Sequence, residues 1–166
     1  MNEQHITSDT AMGAQLVSGG ATFRTWAPGA KEVYVFLQGF DVESPTGWKK
    51  NERDLLSKDA NGYWAGFFPG VVDGAEYRFW IVGHGSEGFK RDPYARELEM
   101  HGYPDCNCIV RDPNTFPWHD HNFRTPQFND LIIYQFHIGV FYAADDQGRD
   151  IRPGRVSKFL DVVSRI

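Results

Sequence analysis

"EYRFWIV", residues 76–82, decides how this chain is read. Tyr77, Phe79 and Ile81 fall on one side of an extended backbone, and Arg78, Trp80 and Val82 on the other. Alternation with period two marks a strand that turns one face to a core. The neighbouring runs repeat it. "EVYVFLQ" (32–38) sets Val33, Val35 and Leu37 against Tyr34 and Phe36. "ATFRTW" (21–26) opposes Phe23 to Arg24, and "GYWAGFF" (62–68) follows the same pattern. Between them lie "APGAK", "DANG", "PGVVDG" and "GHGSEG", all rich in turn formers, and "CNCIVR" (106–111) supplies a late strand. Strands at this spacing with no helical stretch among them predict an all-β, immunoglobulin-like antiparallel β-sandwich of about 100 residues. Its expected span is 14–111, after a flexible lead-in over 1–13. Trp26, Trp64 and Trp80 fall in these strands and read as packing residues.

The texture changes after Arg111. "DPNTFPWHDHNFRTPQFND" holds three prolines and little periodicity, so 112–129 reads as an extended connector. Leu131 to Ile138 is almost wholly apolar or aromatic, which suits a strand buried on both faces. A polar loop follows, then "RVSKFLDVVSRI", where Val156, Phe159, Leu160, Val163 and Ile166 share one helical face. Strand, loop and helix are the opening of an alternating β/α array. Residues 130–166 are thus expected to be the first strand and helix of a truncated (β/α)8 barrel.

Composition narrows the partners. The formal net charge is -5, and no Lys/Arg run appears, which argues against nucleic acid. No stretch approaches the roughly 20 apolar residues of a membrane span, and the amino terminus lacks a signal-peptide pattern, so a cytoplasmic location without membrane is expected. Cys106 and Cys108 read as reduced packing residues. His119 and His121 flank Asp120 in "WHDHNF" and lack a third ligand, so no metal or cofactor is expected. His137 reads as a hydrogen-bonded core group or a substrate-side residue of a complete barrel.

Several motifs carry a family likeness, all in the right order. "FRTWAPGAKEVYVF" (23–36) resembles the start of the N-terminal β-sandwich in glycogen branching enzymes, and "NGYWAGFFPGVVDGAEYRFWI" (61–81) resembles its later strands. "RDPYA" (91–95) and "NCIVRDPNTFPW" (107–118) match its exit, "LIIYQFHIGVFY" (131–142) is similar to the first barrel strand, and "KFLDVVSRI" (158–166) to the first barrel helix. The likeness is to glycoside hydrolase family 13, the α-amylase-like enzymes, with an N-terminal carbohydrate-binding module of family 48 type. Gln135, Phe136 and Val140 depart from the pattern at the barrel strand. They leave branching enzyme, trehalose-releasing hydrolase and isoamylase-like debranching enzyme all open.

What the resemblance implies is specific. Such enzymes use a retaining mechanism with two carboxylates about 5–5.5 Å apart, on barrel strands outside this sequence. No catalytic residue is therefore assigned, and the chain by itself should be inactive. Asp145, Asp146 and Asp150 read as a solvated loop. The implied role is an accessory domain that supports a catalytic barrel and binds an α-glucan such as glycogen, starch or a maltooligosaccharide. Carried over by position, the sugar-binding candidates are Trp48, Arg78, Phe89 and Asn107. Two rival readings are a free-standing glycogen-binding module and an immunoglobulin-like interaction domain without sugar affinity. An unfinished barrel would leave Leu131 to Phe141 as an unpaired apolar edge, expected to dimerise or to be disordered, with a clean monomer pointing instead to docking within the molecule.

Overall fold

The computed structural model describes residues 4–39, 47–99 and 104–165, which fall into two compact units, 1–117 and 118–166. The first is a sandwich of two antiparallel sheets. One sheet holds β1 (Gly13–Val17), β2 (Gly20–Trp26), β4 (Ser57–Lys58) and β5 (Tyr63–Pro69), in the order β1-β2-β5-β4. The other holds β3 (Glu32–Leu37), β6 (Glu76–Val82), β8 (Glu97–Leu98) and β9 (Cys108–Ile109), in the order β3-β6-β9-β8. A further strand, β7 (Glu87–Lys90), pairs with β6 beside its carboxyl-terminal half, Phe79 to Val82.

Local chemistry sets the turns. β1 and β2 meet through Ser18 and Gly19, the latter at φ +82°, a left-handed value at the second central position of the turn that favours glycine. Before β5, the carboxylate of Asp59 accepts from the backbone N–H of Asn61 and Tyr63 at 2.8 and 2.9 Å. Gly62 closes that turn at φ +86°, where a Cβ would sit 2.8 Å from the Pro28 Cα, so only glycine fits.

The alternation read from sequence is the alternation that packs. Val33, Val35 and Leu37 from β3 and Tyr77 and Phe79 from β6 meet Ala21 and Phe23 from β2 and Trp64 and Phe68 from β5 in one core. Phe23 joins the sheets. Its ring lies edge-on to Tyr77 at 5.0 Å and to Phe68 at 5.3 Å. Fully burying one such ring stabilises the fold by about 1.5–3 kcal/mol. The Trp64 indole N–H donates to the Ala27 carbonyl at 2.9 Å, so its burial leaves no orphan donor. Trp26 differs from expectation: its ring is 59 % exposed, because it ends β2 on the outer side.

Inside the core, the buried Asp92 carboxylate is answered by its neighbours. The Tyr77 hydroxyl donates to the Asp92 carboxylate at 2.6 Å, and Asp92 also accepts from the Tyr94 N–H at 2.8 Å. The Asp92 N–H donates to Cys108 Sγ at 3.2 Å. Both cysteines are free and buried, and burial pushes the Cys108 thiol up to about 11. The segment before β1 is tied to the outer side of its sheet. Arg24 donates to the carbonyls of Ser8 and Thr10, and His5 lies 5.0 Å from the Phe67 ring.

The second unit departs from the sequence reading. Leu131 to Phe141 is not a strand: it has no ladder partner among the described residues, and a strand without a neighbour has nothing to hydrogen-bond. Ile132 is 97 % exposed, and Ile133 and Tyr134 are exposed too. His137, read as a core group, is also exposed. Its chain ends in a turn where Phe136 meets Phe141 at 4.3 Å. The expected helix is one short turn, α1 (Phe159–Val162), followed by a 3-10 turn over Val163–Arg165. Val156, Phe159, Leu160 and Val163 are exposed and Val162 is buried, so these four residues of the predicted apolar stripe are not the packed face; the fifth, Ile166, lies outside the described residues. Asp161 anchors α1, accepting from Lys158 N–H and pairing with Arg155 at 2.7 Å. Asp145 organises the preceding loop, accepting from the N–H groups of Gln147 and Arg149.

Replacing Tyr77 with Phe should cost about 1–3 kcal/mol, because Asp92 would keep its buried carboxylate without that donor; urea unfolding measures it. Burial holds the Asp92 carboxyl above its usual range. A raised acid contributes stability that is present below the ordinary carboxylate range and lost as pH rises through the folded value. The stability difference between the parent and Asp92→Asn should therefore shift in favour of the parent on going from pH 7 to pH about 4.5.

Candidate functional site on the outer face of β3, β6 and β7

The same alternation that fills the core sends Tyr34 and Phe36 of β3, Arg78 and Trp80 of β6, and Phe89 of β7 to the opposite side of their sheet. Register aligns them in rows: Tyr34 pairs with Trp80, Trp80 with Phe89, and Phe36 with Arg78. On an outer face these would be wet. Yet Phe36 is fully buried and Tyr34 nearly so.

Trp48 is part of the cover. It precedes the 3-10 turn Glu52–Asp54, which Asn51 caps by accepting from the Arg53 N–H at 3.1 Å. Past that turn Leu56 N–H donates to the Val33 carbonyl at 2.9 Å, so the segment runs along the free edge of β3. Trp48 stands 5.9 Å from Tyr34, 5.6 Å from Trp80 and 5.7 Å from Phe89, all between ring centroids. The Asp54 carboxylate, raised by burial, accepts a hydrogen bond from Trp48. Trp80 and Phe89 meet edge-on at 4.8 Å, and Phe36 and Phe89 at 5.5 Å. Five aromatic rings thus form one continuous surface, with Trp48, Trp80 and Phe89 half-buried.

Polar groups border it. Lys50 and Glu87 form an exposed ion pair at 2.9 Å, and Glu87 is held below the usual carboxylate range chiefly by that hydrogen bond. The Tyr34 hydroxyl donates to Glu32 at 2.9 Å, and burial pushes it up to about 12. Arg78 is only 8 % exposed, its guanidinium 5.9 Å from the Phe89 ring. Asn107, 6 % exposed, lies just before β9 and, one residue beyond the paired positions Glu76–Ile109 and Tyr77–Cys108, falls opposite Arg78. Its amide donates to Gln38 Oε1 at 2.6 Å and Glu76 Oε2 at 2.8 Å. Among the described residues two atoms in this row have no partner: Arg78 Nε and Asn107 Oδ1. A buried polar atom without a partner costs about 1–3 kcal/mol, so such atoms gather where something else is meant to bind.

All four candidates from the sequence therefore share one sheet face. Trp48, Phe89 and Arg78 touch within one aromatic cluster, and Asn107 stands across the strand pair from Arg78. Three details differ from expectation. Arg78 is buried rather than a surface strand residue. Phe89 is neither plug nor free plate but a half-buried ring that bridges Phe36, Trp48 and Trp80. Trp80, read as packing, belongs to the cluster. Sequence reasoning missed Tyr34, Phe36, Gln38 and Glu76, although the period-two side shared with Arg78 already grouped Tyr34, Phe36 and Trp80. The loop before Trp48 falls partly in 40–46, outside the described residues. Among the described residues no three His, Cys, Asp or Glu side chains group as metal ligands.

A two-sheet sandwich that carries, on one outer face, aromatic rings and buried polar atoms without a partner among the described residues, Arg78 Nε and Asn107 Oδ1 among them, suits a carbohydrate-binding module. Comparison with known proteins agrees. The chain belongs to the carbohydrate-binding module 48 (Isoamylase N-terminal domain) family, whose model matches residues 11–95. It is 29 % identical to the 1,4-alpha-glucan branching enzyme GlgB of Synechococcus sp. (strain JA-2-3B'a(2-13)), over 80 % of this chain and 18 % of that protein. It is 30 % identical to GlgB of Pseudomonas syringae pv. tomato (strain ATCC BAA-871 / DC3000), over 87 % of this chain and 20 % of that protein. The chain thus spans about a fifth of the length of these curated relatives. Its fold is similar to that of pullulanase from Bacillus acidopullulyticus, with a TM-score of 0.51 and 23 % identity over 65 % of this chain and 12 % of that one. It is an N-terminal module of the kind found in glycoside hydrolase family 13 enzymes. No described helix is long and apolar enough to cross a membrane.

Phe89→Ala should expose Trp48 and Trp80 to solvent together. The expected result is a red shift of tryptophan emission with the fold's far-ultraviolet circular dichroism unchanged.

Proposed function

We propose that the sandwich is the accessory domain of an α-glucan-active, branching-enzyme-like glycoside hydrolase, and that the outer face of β3, β6 and β7 holds an α-glucan chain. The observation that carries this reading is the pair of atoms without a partner among the described residues, Arg78 Nε and Asn107 Oδ1, on side chains more than nine-tenths buried beside the aromatic cluster. Sugar rings offer exactly two kinds of surface, apolar C–H faces and hydroxyl groups, and this face offers a match for each. Trp48 and Phe89 supply the ring contacts. Arg78 donates to a hydroxyl oxygen and Asn107 accepts a hydroxyl proton.

The relatives' names give the enzyme class, a 1,4-alpha-glucan branching enzyme. Likeness over 87 % of the chain reaches beyond the 117 residues of the first unit, which supports reading 118–166 as the opening of the catalytic barrel. On that reading Leu131 to Ile138 becomes the first barrel strand once neighbouring strands pair with it. The parent enzyme would cleave an α-glucosidic bond by the retaining route, with both carboxylates outside this sequence. The chain on its own binds and does not catalyse. Its exposed 131–141 segment pairs with a second copy where barrel strands are lacking.

Titration with maltoheptaose, followed by tryptophan fluorescence, tests the reading. Saturable binding is expected, weakened at least about tenfold by Trp48→Ala, a change worth about 1.4 kcal/mol. β-linked cellohexaose should bind poorly, because its flat ribbon does not follow the curvature that an α-1,4 chain presents. No saturation by maltoheptaose at millimolar concentration would overturn it.

A further inference from the structure

Asn107 could present either end of its amide, and the neighbouring side chains decide which. Its Nδ2 lies 2.6 Å from Gln38 Oε1 and 2.8 Å from Glu76 Oε2. A carboxylate has no hydrogen to give, so the group facing Glu76 must be the NH2. Both amide protons are then used, and the amide cannot turn over without placing a carbonyl oxygen against a carboxylate. The Oδ1 that remains is buried and, among the described residues, without a partner. The backbone fixes the rest. Gln38 N–H donates to the Glu76 carbonyl at 2.9 Å, and the Asn107 carbonyl accepts from Glu99 N–H at 2.9 Å, so donor and acceptors ride on hydrogen-bonded neighbouring strands.

We infer that Glu76 and Gln38 are positioning residues that lock the Asn107 amide with its carbonyl toward the ligand, so that this subsite selects a hydroxyl acting as hydrogen-bond donor. The inference rests on the sugar-binding reading and deepens it. Opposite Asn107, Arg78 offers only donors. The pair thus presents one acceptor and one donor on adjacent strands, which fits two neighbouring ring hydroxyls, one giving and one receiving. A ligand carrying an ether or fluorine in place of the donating hydroxyl would leave Asn107 Oδ1 unpaired, and specificity follows from that penalty.

The test is a double-mutant cycle on the full chain with β-cyclodextrin as probe, by calorimetry, alongside the Asn107 side-chain amide signals in nitrogen-15 NMR. Glu76→Ala should weaken binding about tenfold in the parent and add less than about twofold in an Asn107→Ala background, because Glu76 acts only through Asn107. Glu76→Gln, which can still accept, should restore binding to within about threefold of the parent. The two Asn107 amide protons should exchange slowly in the parent and in Glu76→Gln, and fast in Glu76→Ala. β-Cyclodextrin methylated at its ring hydroxyls should lose its disadvantage against the unmodified sugar in Asn107→Ala. If Glu76→Ala fails to fold, Gln38→Leu takes its place, with the same expected loss and the same silence in the Asn107→Ala background. An equal loss in both backgrounds, or parent-like binding by Glu76→Ala with its amide protons still protected, overturns the inference while leaving sugar binding intact. If neither β-cyclodextrin nor maltoheptaose binds the parent, the sugar reading falls and this inference falls with it.

Discussion

The Tyr77 hydroxyl reaches the Asp92 carboxylate at 2.6 Å inside the core, and much of the sandwich is arranged around that contact. Tyr77 occupies the inner side of β6, the strand that pairs with β3 on one side and with β7 and β9 on the other. Asp92 belongs to the chain that leaves β7, and it in turn fixes Tyr94 and, through its own N–H, Cys108 of β9. One buried hydrogen-bond group therefore sets where the chain goes between β7 and β9. Because side chains alternate, fixing Tyr77 inward fixes Arg78 outward. A slip of one residue in β6 would empty the core and dismantle the aromatic face at once. Stability and binding geometry are two sides of one strand.

Covering an outer sheet face with aromatics has an electrostatic result as well. The Arg78 side chain is almost wholly removed from water, its guanidinium 5.9 Å from the Phe89 ring. Among the described residues its Nε has no carboxylate to answer it. Such an arrangement costs free energy unless another polar group answers it. The exposed pair of Lys50 and Glu87 contributes little stability by contrast, since solvent screens it. The site is thus built of strong, buried, unfinished interactions within a rim of weak, finished ones.

The sandwich was legible in the sequence because alternation is a local property. Val33, Val35, Leu37, Tyr77 and Phe79 could be assigned to the core from their spacing, and the structure puts them there. The site was legible in part. Trp48, Arg78, Phe89 and Asn107 came from family likeness, while the burial of Arg78 depends on Phe89 approaching from a strand whose pairing the sequence does not display. Gln38 and Glu76 carry no motif and become visible only when β3, β6 and β9 stand side by side. The later segment was the hardest to read. The apolar run at 131–138 has the composition of a strand, but composition cannot supply the neighbours that make one, and in its own unit the run lies exposed.

The family match closes at residue 95, yet the fold does not. Cys108 and Val110 complete the core, Asn107 completes the row of polar groups, and Arg111 clamps β8 through two hydrogen bonds to Glu97 at 2.6 and 2.9 Å. Anyone excising this module for grafting onto another protein should therefore cut beyond Arg111. A fragment trimmed at the motif boundary would lose the last two strands, open a gap against Tyr77, and deliver a sticky half-shell in place of a closed sandwich.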